Sequence, residues 1–479
     1  MVKVRIAPSP TGAIHIGLAR SALYNFLFAR QHNGKFILRI EDTDPTRSTK
    51  ESVEAITEGF KWLSLYWDEG PYFQSQRFHI YKEYAEKLLK EGKAYYCYCS
   101  EERLQVEREK ALQEKRSWQY DRHCLYLTNQ ERERLEREGV PKTVRFLVPQ
   151  ERNVVFDDII HGRIERSGRD IEDFIILRAD GTPTYNFACV IDDALMEITH
   201  VIRAVEHISN TFKQILLYEA LNFKIPFFAH LPLILGKDGK KLSKRHGAVS
   251  IMEYKKMGIL PEALVNYLAL LGWSPGGDLE IFSLEEAIRL FRLEKVKKAN
   301  AIFDFQKLEW MNSEYIKRSD NKRLLIGVKE FLEDKHIPYE QEKEEKLLEI
   351  IQLNKDRSRN LCELALNMAI YLKEEIDYDK EAIEKYLGEK GEESLKELLS
   401  VYEGLSLFNK ETAEKTLREL ANSKNKKPAE YIHPLRVALT GKLVGPPIFD
   451  VVNLMGKDLV IKRIKKVLTL SLEKNSQNN

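Results

Sequence analysis

The sequence predicts an α/β protein in which a parallel sheet is split by an inserted domain and followed by a helical region. Strand and helix periodicities alternate through residues 1–71 and again through 184–252. Between them, about Tyr72 to Arg178, the texture changes to a cysteine cluster, a highly charged helix and short strands. From about Asn321 onward helical patterns run almost without a break, with Asp, Lys and Glu on the outer faces.

The opening is a βαβ unit. Val2 to Ile6 alternates as a half-buried strand, Leu18 to Arg30 carries a helical stripe through Leu23, Phe26 and Leu27, and Asn33-Gly34 stops that helix. Phe36 to Ile40 is a second strand. In the insertion, Glu101 to Glu114 reads as the charged helix and Val144 to Val148 as a strand. The α/β pattern resumes with Ile198 to Val205 as a strand, Thr211 to Ala220 as a helix, and the apolar run Leu231 to Leu235 leading into a basic loop. Boundaries are expected at 1–71, 72–183, 184–252, 253–320 and 321–479, because 479 residues exceed one ordinary domain. No apolar run approaches membrane-spanning length, and Met1 to Arg5 reads as a strand rather than a signal peptide, so a cytoplasmic protein is expected. A net charge of +2 leaves any nucleic-acid contact to local basic surfaces. Five cysteines in so long a chain argue against a disulfide framework.

Two distant segments point to ATP. Ala7-Pro8-Ser9-Pro10-Thr11-Gly12 joins the first strand to the first helix; two prolines fix φ and Gly12 permits a tight turn. His15-Ile16-Gly17 then opens the helix, where free N–H groups and the dipole favour phosphate. His15 is placed to donate to an α-phosphate, and Gly17 lets an adenine or ribose approach the backbone. The second segment, Leu235 to Gly247, is glycine-rich and carries Lys241, Ser243, Lys244 and Arg245, whose cations suit a triphosphate. Alone, the first could be a plain turn and the second a solvated basic loop. Neither a Walker loop nor a G-x-G-x-x-G accompanies them.

Pro8-Ser9-Pro10-Thr11-Gly12…His15-Ile16-Gly17 resembles the HIGH signature of class I aminoacyl-tRNA synthetases, and Lys241-Leu242-Ser243-Lys244-Arg245 resembles their KMSKS loop. Arg39 to Asp44, Pro183 to Phe187 and the K-L-S-K-R loop are similar to glutamyl-tRNA synthetases of bacterial type, and Pro434 to Gly441 is similar to their last domain. Leu18 departs from the general motif, which has a second His there. The resemblance implies a class I Rossmann-type sheet, an inserted acceptor-end-binding domain, a stem-contact helical segment and an all-helical anticodon-binding region. It implies ATP-dependent attachment of glutamate to tRNA-Glu through glutamyl-adenylate, by a cytoplasmic monomer using Mg²⁺. His15, Lys241 and Lys244 would be catalytic. Pro8, Ser9, Thr11, Gly12, Gly17, Glu206, Ser243 and Arg245 would join them around ATP.

Glutamate presents two carboxylates and an ammonium. Arg5 and Arg203 suit the carboxylates through bidentate forks, Glu41 the ammonium, with Tyr185, Ala7 and Ser9 forming the wall. Where relatives read R-G-E-D-H this chain has Arg203-Ala204-Val205-Glu206-His207, so Val205 replaces an acid. Cys189 reads as buried packing. Cys97, Cys99 and Cys124, with Tyr120 or His123 as fourth ligand, have the look of a zinc site; a reduced, metal-free trio is the other reading. Zinc-bearing bacterial relatives commonly end this motif C-x-H, where this chain has Tyr126. Lys355 to Asn360 is expected near the anticodon, with a solvated helix cap as the alternative. A non-discriminating enzyme that also charges tRNA-Gln, a glutaminyl-tRNA synthetase and a catalytically inactive tRNA-binding protein are the rival readings.

Overall fold

The computed structural model describes residues 1–10, 12–44, 48–116, 118–242 and 250–477, with side chains through residue 469. Strand Lys3–Ile6 runs parallel to Lys35–Ile40, which runs parallel to Glu69–Phe73. The second half orders its strands Gly162–Ser167, Asn153–Asp158, Phe227–Leu231 and His200–Ala204; all pairs are parallel except the edge hairpin of the first two. The halves meet where the Thr199 N–H donates to the Lys3 carbonyl at 2.9 Å and the Lys3 N–H to Thr199 Oγ1 at 2.9 Å. The strand order therefore reverses between Lys3–Ile6 and His200–Ala204. Open parallel sheets bind ligands at such a switch point, outside the strand C-termini.

The first strand differs from expectation. Val4, Arg5 and Ile6 are all buried, so the alternation does not separate a core face from a wet one. Lys35–Ile40 is likewise buried from Phe36 onward. Both faces are covered, as in other parallel sheets, and the polar positions Arg5 and Arg39 are buried beside carboxylates instead of facing water. Helix Ile16–Gln31 is buried along most of its length, and Tyr24 anchors it by donating to the carbonyls of Ala269 and Leu271, each at 3.0 Å. Asn33 ends the turn beyond it with φ +48°. The apolar run 231–235 divides into the end of strand Phe227–Leu231 and a short pair of residues, Ile234–Leu235.

The insertion is built on an antiparallel sheet of Ala94–Cys97, Thr143–Phe146 and Phe174–Leu177, with helices Glu101–Gln113 and Asn129–Arg137. By contacts the chain divides into two compact units: residues 1–255 with 261–305, and residues 256–260 with 306–479. The boundaries expected at 71 and 183 fall inside the first unit, and the segment 253–320 is shared between the two.

The second unit is helical in its described residues. Pro434 lies inside helix Ala429–Thr440, which ends on Gly441 at φ +71°, the left-handed cap that a Cβ would strain. Buried Arg463 donates to the carbonyls of Lys373 and Leu439, satisfying orphan acceptors at two helix ends. No described helix is long and apolar enough to cross a membrane.

Candidate active site

A cleft of about 780 Å³ opens at the switch point, bordered by the ends of both central strands. Ala7, Pro8, Ser9 and Gly12 form the turn along one side. Gly12 has φ +150°, and the residue between it and Pro10, Thr11, lies outside the described residues. His15 is the N-cap of helix Ile16–Gln31, with extended backbone (φ −94°, ψ 163°). Its Nδ1 accepts the Leu18 N–H at 3.2 Å, satisfying one orphan donor of the first turn. That bond leaves the proton on Nε2, so the neutral ring keeps a donor for a ligand. Burial and then Lys241 push the His15 pKa below its usual value, with Glu206 pulling the other way. A Cβ on Gly17 would lie 3.2 Å from the His15 ring, so glycine here makes room for the imidazole as well as for a ligand.

The basic segment enters from the opposite side. Lys241 pairs with Leu235 as an isolated bridge, and its Nζ lies 2.8 Å from Glu206 Oε1, both groups largely exposed. Ser250 bridges His15, and the Ile251 N–H donates to the Ile14 carbonyl at 2.9 Å. The 250–251 flank of the basic loop thus reaches the start of the helix, and Lys241 lines the same cleft. Ser243, Lys244 and Arg245 lie outside the described residues.

Deeper in the cleft, Arg5, Glu41, Tyr185 and Arg203 converge. Arg5 differs from a free fork: its Nε and Nη2 each sit 3.1 Å from an oxygen of Asp193. Nη1 is its one amino group with no hydrogen-bond partner among the described residues. Asp193 also accepts from Arg39 Nη1 at 2.6 Å, and Arg39 Nη2 reaches Glu41 Oε1 at 3.3 Å. Burial raises the Glu41 carboxyl above its usual range, against the pull of Arg39 and Arg5. Arg203 donates through Nη2 to Thr211 Oγ1 (2.6 Å) and Gln214 Oε1 (2.7 Å), and through Nη1 to the Tyr185 hydroxyl (3.4 Å). The Tyr185 hydroxyl in turn lies 3.2 Å from His207 Nδ1. Cys189 is buried, with Arg5, Arg39 and Asp193 around its sulfur, and burial pushes its thiol up to about 12; it is packing, not a nucleophile. Asp193, Thr211, Gln214 and His230 were not singled out in the sequence, and Arg39 entered only as the start of a motif. Asp193 lies 188 residues from Arg5 and His230 27 from Arg203, while Thr211 and Gln214 sit on the helix that follows Arg203 with nothing local to mark them. The Arg-x-Glu spacing of Arg39 and Glu41 is the one local signal that could have found a member of the set.

Burial holds His207 and His230 at about 4, with Arg203 among the further causes. In an unfolded chain each would titrate near ~6.5. The unfolded state then binds more protons, so stability must fall as pH drops from about 6.5 towards 4. Urea midpoints measured at pH 7.5 and 5 should show the lower value at pH 5, and equal midpoints would contradict the burial of these rings.

The cysteine trio lies in the insertion, apart from the cleft. The sulfurs of Cys97, Cys99 and Cys124 are all within 4.8 Å of one another. The Tyr120 hydroxyl is 3.4 Å from the sulfurs of both Cys97 and Cys99. His123 and Tyr126 are not part of the group; Tyr126 is 74% exposed. The Arg103 Nη1 donates to Cys99 Sγ at 3.2 Å, and the Arg145 guanidinium lies 4.0 Å from the Tyr120 ring centre. In the second unit, Lys355–Arg357 is a 3₁₀ turn, and Asn360 caps helix Leu361–Leu372 through Glu363 N–H at 2.8 Å. Arg357 and Arg359 beside it are exposed, so capping and a cationic surface coexist.

A Rossmann-type switch-point cleft with a histidine-capped phosphate turn and a facing lysine loop defines a class I synthetase. The family described as "tRNA synthetases class I (E and Q), catalytic domain" matches residues 1–310, and "Anticodon binding domain" matches 323–468. Glutamate–tRNA ligase 2 of Caldicellulosiruptor saccharolyticus is 47% identical over 97% of this chain and 98% of its own. Glutamate–tRNA ligase of Thermodesulfovibrio yellowstonii is 48% identical over 98% of this chain and 100% of its own. A crystal structure of a glutamate tRNA ligase from Elizabethkingia meningosepticum in complex with its amino acid superposes with a TM-score of 0.89 at 34% identity, covering 98% and 99% of the two chains. The chain belongs to the glutamate–tRNA ligase family of class I aminoacyl-tRNA synthetases.

Proposed function

We propose that the cleft activates L-glutamate with ATP and passes it to tRNA-Glu. The observation that carries this reading is the convergence of the His15 turn and Lys241 with Arg5, Glu41, Tyr185 and Arg203 in one cleft. The glutamate α-carboxylate attacks the α-phosphorus, the bond to the β-phosphate bridge breaks, and pyrophosphate leaves. The terminal adenosine hydroxyl of tRNA then attacks the glutamyl carbonyl and releases AMP. Neither step needs a protein nucleophile, so the site works by alignment and charge stabilisation. His15 Nε2–H donates to the α-phosphate. Lys241, with Lys244 and Arg245 beyond the described residues, receives the departing pyrophosphate, which arrives with Mg²⁺ as part of the substrate. Glu41 takes the ammonium, while Arg5 Nη1 and Arg203 Nη1 beside the Tyr185 hydroxyl take the carboxylates.

The thiol trio fits zinc. Two sulfurs about 2.3 Å from a common ion lie roughly 3.8 Å apart, and the observed spread of up to 4.8 Å, with the Tyr120 oxygen beside it, needs little adjustment. Cys97, Cys99, Cys124 and Tyr120 would hold the ion, which would supply a structural staple to the insertion. About one zinc per chain is expected after chelator washing, and less than half would end this reading.

The helical unit, with Arg357 and Arg359 at its exposed turn, is the anticodon-side surface, and the protein acts as a monomer. Charging of purified tRNA-Glu and tRNA-Gln with labelled glutamate and with glutamine tests the whole reading. Glutamate on tRNA-Glu is expected. Glutamate on both tRNAs would make the enzyme non-discriminating, and glutamine alone would overturn the assignment.

A further inference from the structure

We infer that His230, backed by Asp158, is a positioning residue that fixes which edge of the Arg203 guanidinium faces the amino-acid substrate. The inference rests on the assignment of Arg203 to glutamate. Neither His230 nor Asp158 borders the cleft, and both side chains are wholly buried behind it.

Arginine has five N–H donors in a rigid fork. In Arg203 the Nε–H points to His230 Nε2 at 3.3 Å, and the Thr211 hydroxyl lies 3.0 Å from the same nitrogen. Thr211 and Gln214 take the two hydrogens of Nη2, and Tyr185 takes one of Nη1. One Nη1 hydrogen remains for a ligand. The fork can hold this orientation only if His230 Nε2 carries a lone pair, since a proton there would oppose the Arg203 Nε–H.

The tautomer is set from the other side of the ring. His230 Nδ1 lies 2.6 Å from Asp158 Oδ2 and donates to it. Asp158 is itself fixed by backbone: its Oδ1 accepts from Ile160 (2.9 Å) and His161 (2.8 Å), and its Oδ2 also accepts the His230 N–H (3.1 Å). The chain of contacts runs from the turn after strand Asn153–Asp158, through His230 on strand Phe227–Leu231, to Arg203 on its neighbour. Three strands thus determine one donor direction. Because burial keeps the ring neutral, the pair is a hydrogen bond between imidazole and carboxylate and not an ion pair.

Two substitutions separate the two faces of the ring. In His230→Gln the amide oxygen can replace Nε2 and accept from Arg203, while the contact to Asp158 is lost. In His230→Asn the amide nitrogen can replace Nδ1 and keep Asp158, while Arg203 loses its acceptor. Steady-state aminoacylation of tRNA-Glu should show His230→Asn raising the glutamate KM about tenfold, as expected for one lost bond to a charged group, with the ATP KM within about twofold. His230→Gln should stay within about threefold for both. A purely structural role predicts the reverse order, with the asparagine variant closer to wild type, and that result or equal effects would overturn the inference. In an Arg203→Lys background, which removes the Nε donor, His230→Asn should raise the glutamate KM no further; independent, multiplicative effects would also overturn it. If Arg203→Lys alone leaves the glutamate KM unchanged, the assignment of Arg203 itself fails. If it raises that KM and His230→Asn does not, only the positioning role fails.

Discussion

Asp193→Ala is expected to abolish glutamylation and to cost the fold about 3–5 kcal/mol, the loss typical of breaking a buried ion pair by removing one partner. Arg5 and Arg39 are 4% and 0% exposed, and Asp193 is the carboxylate that both contact. Without it the buried Arg5 has no carboxylate partner among the described residues, and Arg39 keeps only Glu41 and the more distant Asp192. Arg5 then loses the bidentate grip that aims its remaining amino group, and Arg39 loses the anchor from which it holds Glu41. Burial would raise the Asp193 carboxyl, but Arg39 and Arg5 overcome that and hold it at about 2. An unfolded Asp titrates near ~3.9. The folded value is the lower one, so this stabilisation is complete above about pH 4 and is lost as pH falls towards 2. Glu41 has the opposite sign: its raised value makes its share largest in acid and smaller as pH rises. Urea midpoints of the wild type should therefore keep falling between pH 4 and 2, and Asp193→Asn should lose most of that slope. An Asp193→Ala protein that melts and charges tRNA like wild type would refute the keystone role.

What the sequence disclosed and what it hid divide along the same lines. The phosphate turn, the basic loop and the residues Arg5, Glu41, Tyr185 and Arg203 sit beside local punctuation: prolines, glycines, a helix start, a strand end. Such signals are short-range and survive in one dimension. The supports are not local. Asp193 lies on a helix 188 residues from Arg5, and His230 lies 27 residues from Arg203 on a neighbouring strand. The apparent alternation of the first strand misled for a related reason. Its polar positions are paired within the protein, and a charged residue in a periodicity looks the same whether its partner is water or Asp193. The fourth member of the cysteine group was open between Tyr120 and His123 because both flank Cys124; only the fold brings one hydroxyl beside two sulfurs.

His15→Ala should slow adenylate formation by about 10²–10³-fold, the usual cost of removing one preorganised donor from a developing oxyanion. Alanine also removes the N-cap, worth roughly 0.5–2 kcal/mol, so a second variant is needed to separate the two roles. Asparagine caps helices as well as any residue, and His15→Asn should keep the bond to the Leu18 N–H. It cannot extend a donor to the position of Nε2. The asparagine variant should melt like wild type yet remain as slow as the alanine variant, and recovery of the rate would reduce His15 to a cap. The pH dependence adds an independent check. With burial and Lys241 lowering its pKa, any acid limb that this ring adds to the wild-type rate should lie below the range of a free imidazole. A limb at or above the free-imidazole range that disappears in His15→Asn would contradict this lowering. The departure at Leu18 gives this test further weight. With no second histidine there, His15 is the imidazole at the head of the helix, and Lys241→Ala is expected to slow adenylate formation as well.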